Sequence, residues 1–277
     1  MAAAHRPLVH RSGPLRSTAG DPVHSPGPLD RLAGRETGQA PRAARADHFQ
    51  PTKLTSMFPA LLAHPNVDEV CELRDPFGIM AFHGGNLERT TDVIAREVAT
   101  RTGASLYAVI QHAPLREHVP SITIRPEHST MLQQFLDHVD TVIAVHGYGR
   151  ETQFWNVLLG GRNRELANHL AEHLRAALPD AFGVIDDLDD IPRGLRGLHE
   201  ANPVNLPSGT GVQLELPPTI RWNKEARNWS DHEGTPRAPQ VSTLIDALVD
   251  AVDAWTAPHG ARRSISQLTP PGESCRR

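Results

Sequence analysis

GIMAFHGGNLE, Gly78–Glu88, runs a short apolar stretch into a histidine, two glycines and, five positions after the histidine, a glutamate. The apolar half is too short for a helix and too uniformly apolar for a half-exposed strand, so it reads as a strand covered on both faces. Working outward, SLYAVI (105–110), TVIAV (141–145), FGVI (182–185) and GVQLEL (211–216) have the same character. Helical patterns intervene at Thr91–Thr102, Thr130–Val139 and Asn163–Leu178, and a last one follows at Val241–Trp255, where Leu244, Leu248, Val252 and Trp255 recur at helical spacing. Strands alternating with helices predict one α/β domain, a mostly parallel sheet flanked by helices.

In such a sheet ligands bind outside the carboxyl ends of the strands. His83 directly follows the strand GIMAF, and His146 stands in the same relation to TVIAV. Gly84 and Gly85 permit a sharp turn that can return Glu88 toward His83. Two neutral imidazoles and a carboxylate, with a fourth position open, form the ligand set of a catalytic zinc site. The plainer alternative is that these are ordinary strand-end residues. In GVQLEL, alternation puts Val212, Leu214 and Leu216 on one face and Gln213 and Glu215 on the other. Glu215 is then either a general base beside the metal or part of a solvated polar face.

A second motif competes. HLAEH, His169–His173, matches the His-x-x-Glu-His pattern of one class of zinc peptidase. Leu166, Leu170, Leu174 and Ala177 define the buried stripe of that helix, which leaves His173 at its margin, His169 further out and Glu172 toward solvent. The acidic run IDDLDDIP (185–192) lacks the spacing of a calcium loop and reads as a solvated turn after a strand.

Composition narrows the function classes. The 277 residues carry 28 basic and 32 acidic side chains, a net charge of −4, which gives no electrostatic footprint for nucleic acid. The two cysteines, Cys71 and Cys275, are far apart and predict neither a disulfide framework nor a thiolate metal site, so a metal must be held by nitrogen and oxygen. No apolar run approaches the roughly 18 residues of a membrane span, and the first residues lack a secretory apolar stretch, so the expected location is cytoplasmic. Residues 1–50 hold few large apolar side chains and are expected to be disordered; 51–258 form the catalytic domain, and 259–277 a polar tail.

The segments MAFHGGNLERTTDVIA, DTVIAVHGYGR, LLGGRN and NPVNLPSGTGVQLELP, with the following Arg221, together resemble the poly-γ-glutamate hydrolase family of phages and bacteria. The likeness covers roughly Asp75 to Arg221. It implies an open mixed sheet flanked by helices, similar to the zinc carboxypeptidases. It further implies zinc on His83, Glu88 and His146, with Glu215 as the acid/base. One departure is visible: where the family shows Leu-His-Ile-Thr-Ser, this chain reads PSITIRPEHS (120–129), with Ser121 in the place of the histidine.

The implied substrate is a small peptide or γ-glutamyl chain, whose amide carbonyl is a poor electrophile; a γ-glutamyl chain also carries a free carboxylate on every residue. Guanidinium forks suit such carboxylates, which makes Arg150, Arg162 and Arg221 the candidate substrate-binding residues, with Gln213 aligning Glu215 or the substrate. N-acylated amino acids, cell-wall peptides and noncatalytic ligand capture are the alternatives on the same scaffold.

Overall fold

The strand that contains the first part of the quoted stretch, β2 (Asp75–Gly85), lies inside an eight-stranded sheet. Before it come a short helix α1 (Met57–Leu62) and an edge-side strand β1 (Val67–Leu73). After it follow α2 (Thr91–Thr102), β3 (Ala104–Gln111), α3 (Thr130–His138), β4 (Thr141–Gly147), β5 (Asn156–Leu159), α4 (Arg164–Ala177), β6 (Gly183–Ile185) and β7 (Gly211–Leu216). The chain continues through α5 (Pro218–Arg221), a small ribbon of β8 (Trp222–Asn223) and β9 (Asn228–Trp229), α6 (Pro239–Arg263) and β10 (Glu273–Ser274). The computed structural model describes residues 57–263 and the pair Glu273–Ser274; the expected disorder of residues 1–50 lies outside the described residues.

The spatial order is β10-β1-β3-β2-β4-β7-β5-β6. β3, β2, β4 and β7 are mutually parallel, while β1 runs antiparallel to β3 and β5 antiparallel to β7. The sheet is therefore mixed and mostly parallel, as expected. Besides the short ribbon strands β8 and β9 and the terminal β10, the strands β1 and β5 were not foreseen. In β1, VDEVCEL, acids interrupt the apolar pattern and only Val67 and Cys71 are buried. β5 is only NVLL, four residues.

Side-chain alternation builds two apolar layers. Ile79 and Ala81 of β2, Ile143 and Val145 of β4, and Val212, Leu214 and Leu216 of β7 pack against Ile94 and Val98 of α2, Leu166 and Leu170 of α4, and Leu244 and Leu248 of α6. On the other face Met80, Phe82, Tyr107, Val142 and Ala144 meet Phe58 of α1 and Leu132 and Phe135 of α3. Each large apolar side chain among these contributes about 1.5–3 kcal/mol by leaving water. Ala177, expected in the α4 stripe, is exposed; the helix ends there, and Leu178, in extended conformation, is buried in its stead.

Two features of the C-terminal part go beyond the sequence reading. α6 runs to Arg263, past the boundary at His259, and Glu273–Ser274 pair with Glu72 and Leu73 of β1. Cys71 is disulfide-bonded, whereas the sequence predicted no disulfide; Cys275, the other cysteine, lies outside the described residues. The pairing of β10 with β1 brings chain-distant segments together, which sequence separation could not reveal. Among the described residues no helix is long and apolar enough to cross a membrane.

Candidate metal centre

The site starts with an irregularity in β2. Ala81 is opposite Ala108 and Gly84 opposite Ile110, so three steps along β2 match two along β3: a β-bulge at Phe82–His83. Strict alternation would send His83 to the helix-covered face of Ile79 and Ala81. The His83 ring instead faces His146, centroids 5.1 Å apart, and His146 shares the face of Val142 and Ala144. The bulge therefore re-aims one histidine toward the other.

The two glycines then turn the chain. Gly85 has φ +68°, and a Cβ there would lie 2.3 Å from the Gln111 carbonyl oxygen, so only glycine fits without displacement. Asn86 N–H donates to that same oxygen at 2.7 Å, and Gly85 N–H donates to Asp92 Oδ1 at 2.8 Å. The turn closes when Glu88 N–H donates to the His83 carbonyl at 2.8 Å, which brings the Glu88 carboxylate over the imidazole.

Glu88 Oε1 lies 2.8 Å from His83 Nδ1, and Oε2 lies 3.3 Å from His146 Nδ1 while accepting the Gly147 N–H at 2.8 Å. Both histidines are buried. The ligand atoms of these three residues lie within 4.8 Å of one another, and this group can hold a metal ion. The proton count supports that use. His83 Nε2 lies 2.9 Å from the Val119 carbonyl and must donate to it, yet Nδ1 also faces an acceptor. A neutral ring cannot donate from both nitrogens, so either the ring is charged or a cation takes the place of the Nδ1 proton. His146 Nε2 is buried without a partner. Burial by itself would raise the Glu88 carboxyl, but the two imidazoles outweigh it and hold the group far below the usual carboxylate range. Burial likewise works against a charged His146, and the adjacent Glu88 reverses the effect and raises it.

Val119 is itself held. Gln111, buried at the end of β3, donates from Nε2 to the Glu117 carbonyl and accepts the Glu117 N–H, each at 2.7 Å. That clamp sets the loop after β3, which carries Arg116, His118 and Val119.

Glu215 is in register with His146 on the neighbouring strand β7 and is 4 % exposed. Burial raises its carboxyl to about 7, against the pull of His146. Gln213 Nε2 donates to Glu215 Oε1 at 2.8 Å. His83, Glu88, His146, Gln213 and Glu215 all open onto one cavity of about 1080 Å³. Its walls carry Arg89, Arg116, Arg193, Arg196 and Arg221, and among the described residues Glu88 and Glu215 are the only carboxylates that line it. Such a cavity attracts anions.

The sequence matches the family described as Poly-gamma-glutamate hydrolase over residues 62–235. The chain belongs to the poly-gamma-glutamate hydrolase family. Among solved structures it is similar to a bacteriophage poly-gamma-glutamate hydrolase, with TM-score 0.59 and 22 % identity over 70 % of this chain and 91 % of that one. A zinc-free form of YndL is similar at TM-score 0.56 and 20 % identity, covering 68 % of this chain and 90 % of that one. The SPbeta prophage-derived protein YoqZ of Bacillus subtilis (strain 168) is 30 % identical over 141 residues, 50 % of this chain and 47 % of that protein. The match thus spans about half the length of that relative.

Within this poly-gamma-glutamate hydrolase family fold the predicted residues separate into two groups. His83, Glu88, His146, Gln213, Glu215 and Arg221 surround the cavity. Arg221 is buried, donates to the carbonyls of Arg89 (2.9 Å) and Tyr148 (3.2 Å), and lies over the Trp229 ring at 4.9 Å. Burial lowers its guanidinium to about 10, which still leaves it charged at neutral pH. Arg150 and Arg162 do not line the cavity. Arg150 is exposed beside Gly194, and exposed Arg162 donates from Nε to the Leu198 carbonyl at 3.0 Å. The main chain of the GGRN segment is tied into the fold. Gly160 exchanges main-chain hydrogen bonds with Gln213, Gly161 N–H donates to the Arg196 carbonyl, and Arg162 N–H donates to Asn205 Oδ1.

HLAEH lies elsewhere. His169 Nε2 contacts the Ala251 carbonyl of α6 at 2.8 Å, and Glu172 is exposed. The sequence reading missed His118, whose ring is 4.8 Å from His83, along with Arg89, Arg116, Arg193 and Arg196. The rule of carboxyl strand ends reaches His118, which sits in the loop after β3. Ser121, at the departure from the family pattern, also lines the cavity.

Proposed function

We propose that this chain is a zinc-dependent hydrolase of γ-glutamyl or related amide bonds. The observation that carries the reading is the convergence of both Nδ1 atoms on the Glu88 carboxylate, beside a buried Glu215 and in a cavity walled by arginines. Zinc is favoured by the donor set of two imidazoles and one carboxylate, and by the relative YndL, described in a zinc-free form. His83, Glu88 and His146 would hold the ion, which when bound supplies Lewis acidity toward an amide carbonyl and toward water.

The rest is the work of the chain's own residues. Glu215, with a carboxyl near 7, is suited to accept the proton of the attacking water and return it to the leaving nitrogen at neutral pH. Gln213 holds Glu215 Oε1 in place. Arg221, with Arg89, Arg116 and Arg193 lining the same space, offers guanidinium groups to the carboxylates of a γ-glutamyl chain. Arg150 and Arg162, outside the cavity, are given no such role.

Elemental analysis of protein purified without added metal, followed by an assay on poly-γ-glutamate, tests the reading. About one zinc per chain and new amino termini are expected. A zinc-replete protein that binds the polymer without cleaving it would be a ligand-binding domain; one that cleaves only another amide would retain the chemistry and change the substrate.

A further inference from the structure

Glu215 receives its hydrogen bond from a side chain whose own orientation is set from the loop before β7. Asn202, 3 % exposed, accepts the Val204 N–H on Oδ1 at 3.3 Å and donates from Nδ2 to Gln213 Oε1 at 2.8 Å. Gln213, 5 % exposed, donates from Nε2 to Glu215 Oε1 at 2.8 Å and to the Leu195 carbonyl at 3.3 Å. The polarity of this chain is forced at both ends by main-chain groups. An N–H can only donate, so the Asn202 atom facing Val204 is oxygen. A carbonyl can only accept, so the Gln213 atom facing Leu195 is nitrogen. Neither amide can flip without setting acceptor against acceptor or donor against donor in a buried place.

We infer that Asn202 is a positioning residue of the Glu215 site, fixing the Gln213 amide so that its N–H, and not its carbonyl, faces the carboxylate. This rests on the reading of Glu215 as the group that moves the proton. It gives the NPVN segment a role that its backbone turn alone would not require. It also couples the cavity wall to the base, because Leu195 lines that wall and binds the same Gln213 nitrogen.

Asn202→Asp isolates the effect. The aspartate keeps the acceptor for Val204 but has no N–H for Gln213, so the Gln213 amide must turn its nitrogen to Asp and its oxygen toward Glu215 and Leu195. With zinc content unchanged, kcat on a γ-linked glutamate oligomer should fall about 10–100-fold while KM stays within about twofold, a smaller loss than removal of a general base would cause. In a Gln213→Met background the same Asn202→Asp change should alter kcat less than about twofold, since neighbours acting through one another are non-additive. Equal losses in both backgrounds, or an unchanged kcat in the first, would overturn the assignment. A readout without turnover separates this from a failure of the proposed activity. The Gln213 carboxamide protons, followed by 15N-resolved NMR of the zinc-loaded protein, should shift in Asn202→Asp and in Glu215→Gln. Unchanged signals in both variants would refute the relay even in a protein that cleaves nothing.

Discussion

Replacing Glu215 by Gln should remove activity and, in the metal-free protein, add stability. The side chain is 4 % exposed and its carboxyl, at 4.5 in an unfolded chain, is raised to about 7 by burial. Between those values the folded chain keeps a proton that the unfolded chain has released. The stability this group contributes is therefore fully present below 4.5 and is lost as pH rises through 7. At roughly 1.4 kcal/mol per pH unit the loss amounts to about 3 kcal/mol. A glutamine does not titrate, and its carbonyl can still accept the Gln213 N–H. Glu215→Gln should thus match the wild type near pH 4.5 and exceed it by up to about 3 kcal/mol at pH 8, on the order of 6–12 °C in Tm for a domain of this size. Thermal and urea unfolding of EDTA-treated protein at about pH 5 and pH 8 measure the difference. Added zinc should narrow it, since a nearby cation favours the carboxylate. The same variant should lose about 10²–10⁴-fold in kcat with zinc still bound. A variant no more stable than wild type at pH 8, or one hydrolysing a γ-linked oligomer at the wild-type rate, would refute the reasoning.

His83→Ala or His146→Ala should abolish stoichiometric metal binding, whereas His169→Ala should keep the metal and lose its hydrogen bond to the Ala251 carbonyl and its ring contacts with His173 and Trp255, about 1–2 kcal/mol by chemical denaturation. Glu88→Gln should weaken zinc affinity in a chelator competition, because a neutral amide is a poor ligand beside two imidazoles. In Gly147→Ala the new Cβ would fall 2.5 Å from Arg221 Cζ, so the buried guanidinium must move. A stability loss of about 1–3 kcal/mol and a raised KM for the oligomer are expected.

How far the sequence reaches can be judged residue by residue. The parallel core, β3-β2-β4-β7 with α2, α4 and α6, was legible because strands buried on both faces and amphipathic helices write their periods directly into the chain. His83 and His146 were legible for a related reason: each follows an apolar run, and a parallel sheet collects such positions at one edge. Gln213 and Glu215 came from alternation, the glycine turn from the freedom of Gly85, and the remaining roles from likeness to a family.

Tertiary structure decided what depends on register and on contacts between distant segments. The bulge that brings His83 onto the face of His146 is a mismatch between two strands, and neither strand reveals it alone. Arg150 and Arg162 looked equivalent to Arg221 because all three follow strand-like segments. Which guanidinium reaches the cavity depends on loop paths set by such contacts as Asn205 with Gly197 and His199. Strand β1, next to the sheet edge, was hidden by its acids, and β10 joins it from across the chain as the edge strand. The polarity of the Asn202–Gln213–Glu215 chain rests on two main-chain groups, Val204 N–H and the Leu195 carbonyl, and only the folded backbone places them. Periodicity records what each residue needs from its local element; it carries no record of the partner that a hydrogen bond or a register shift supplies from elsewhere in the fold.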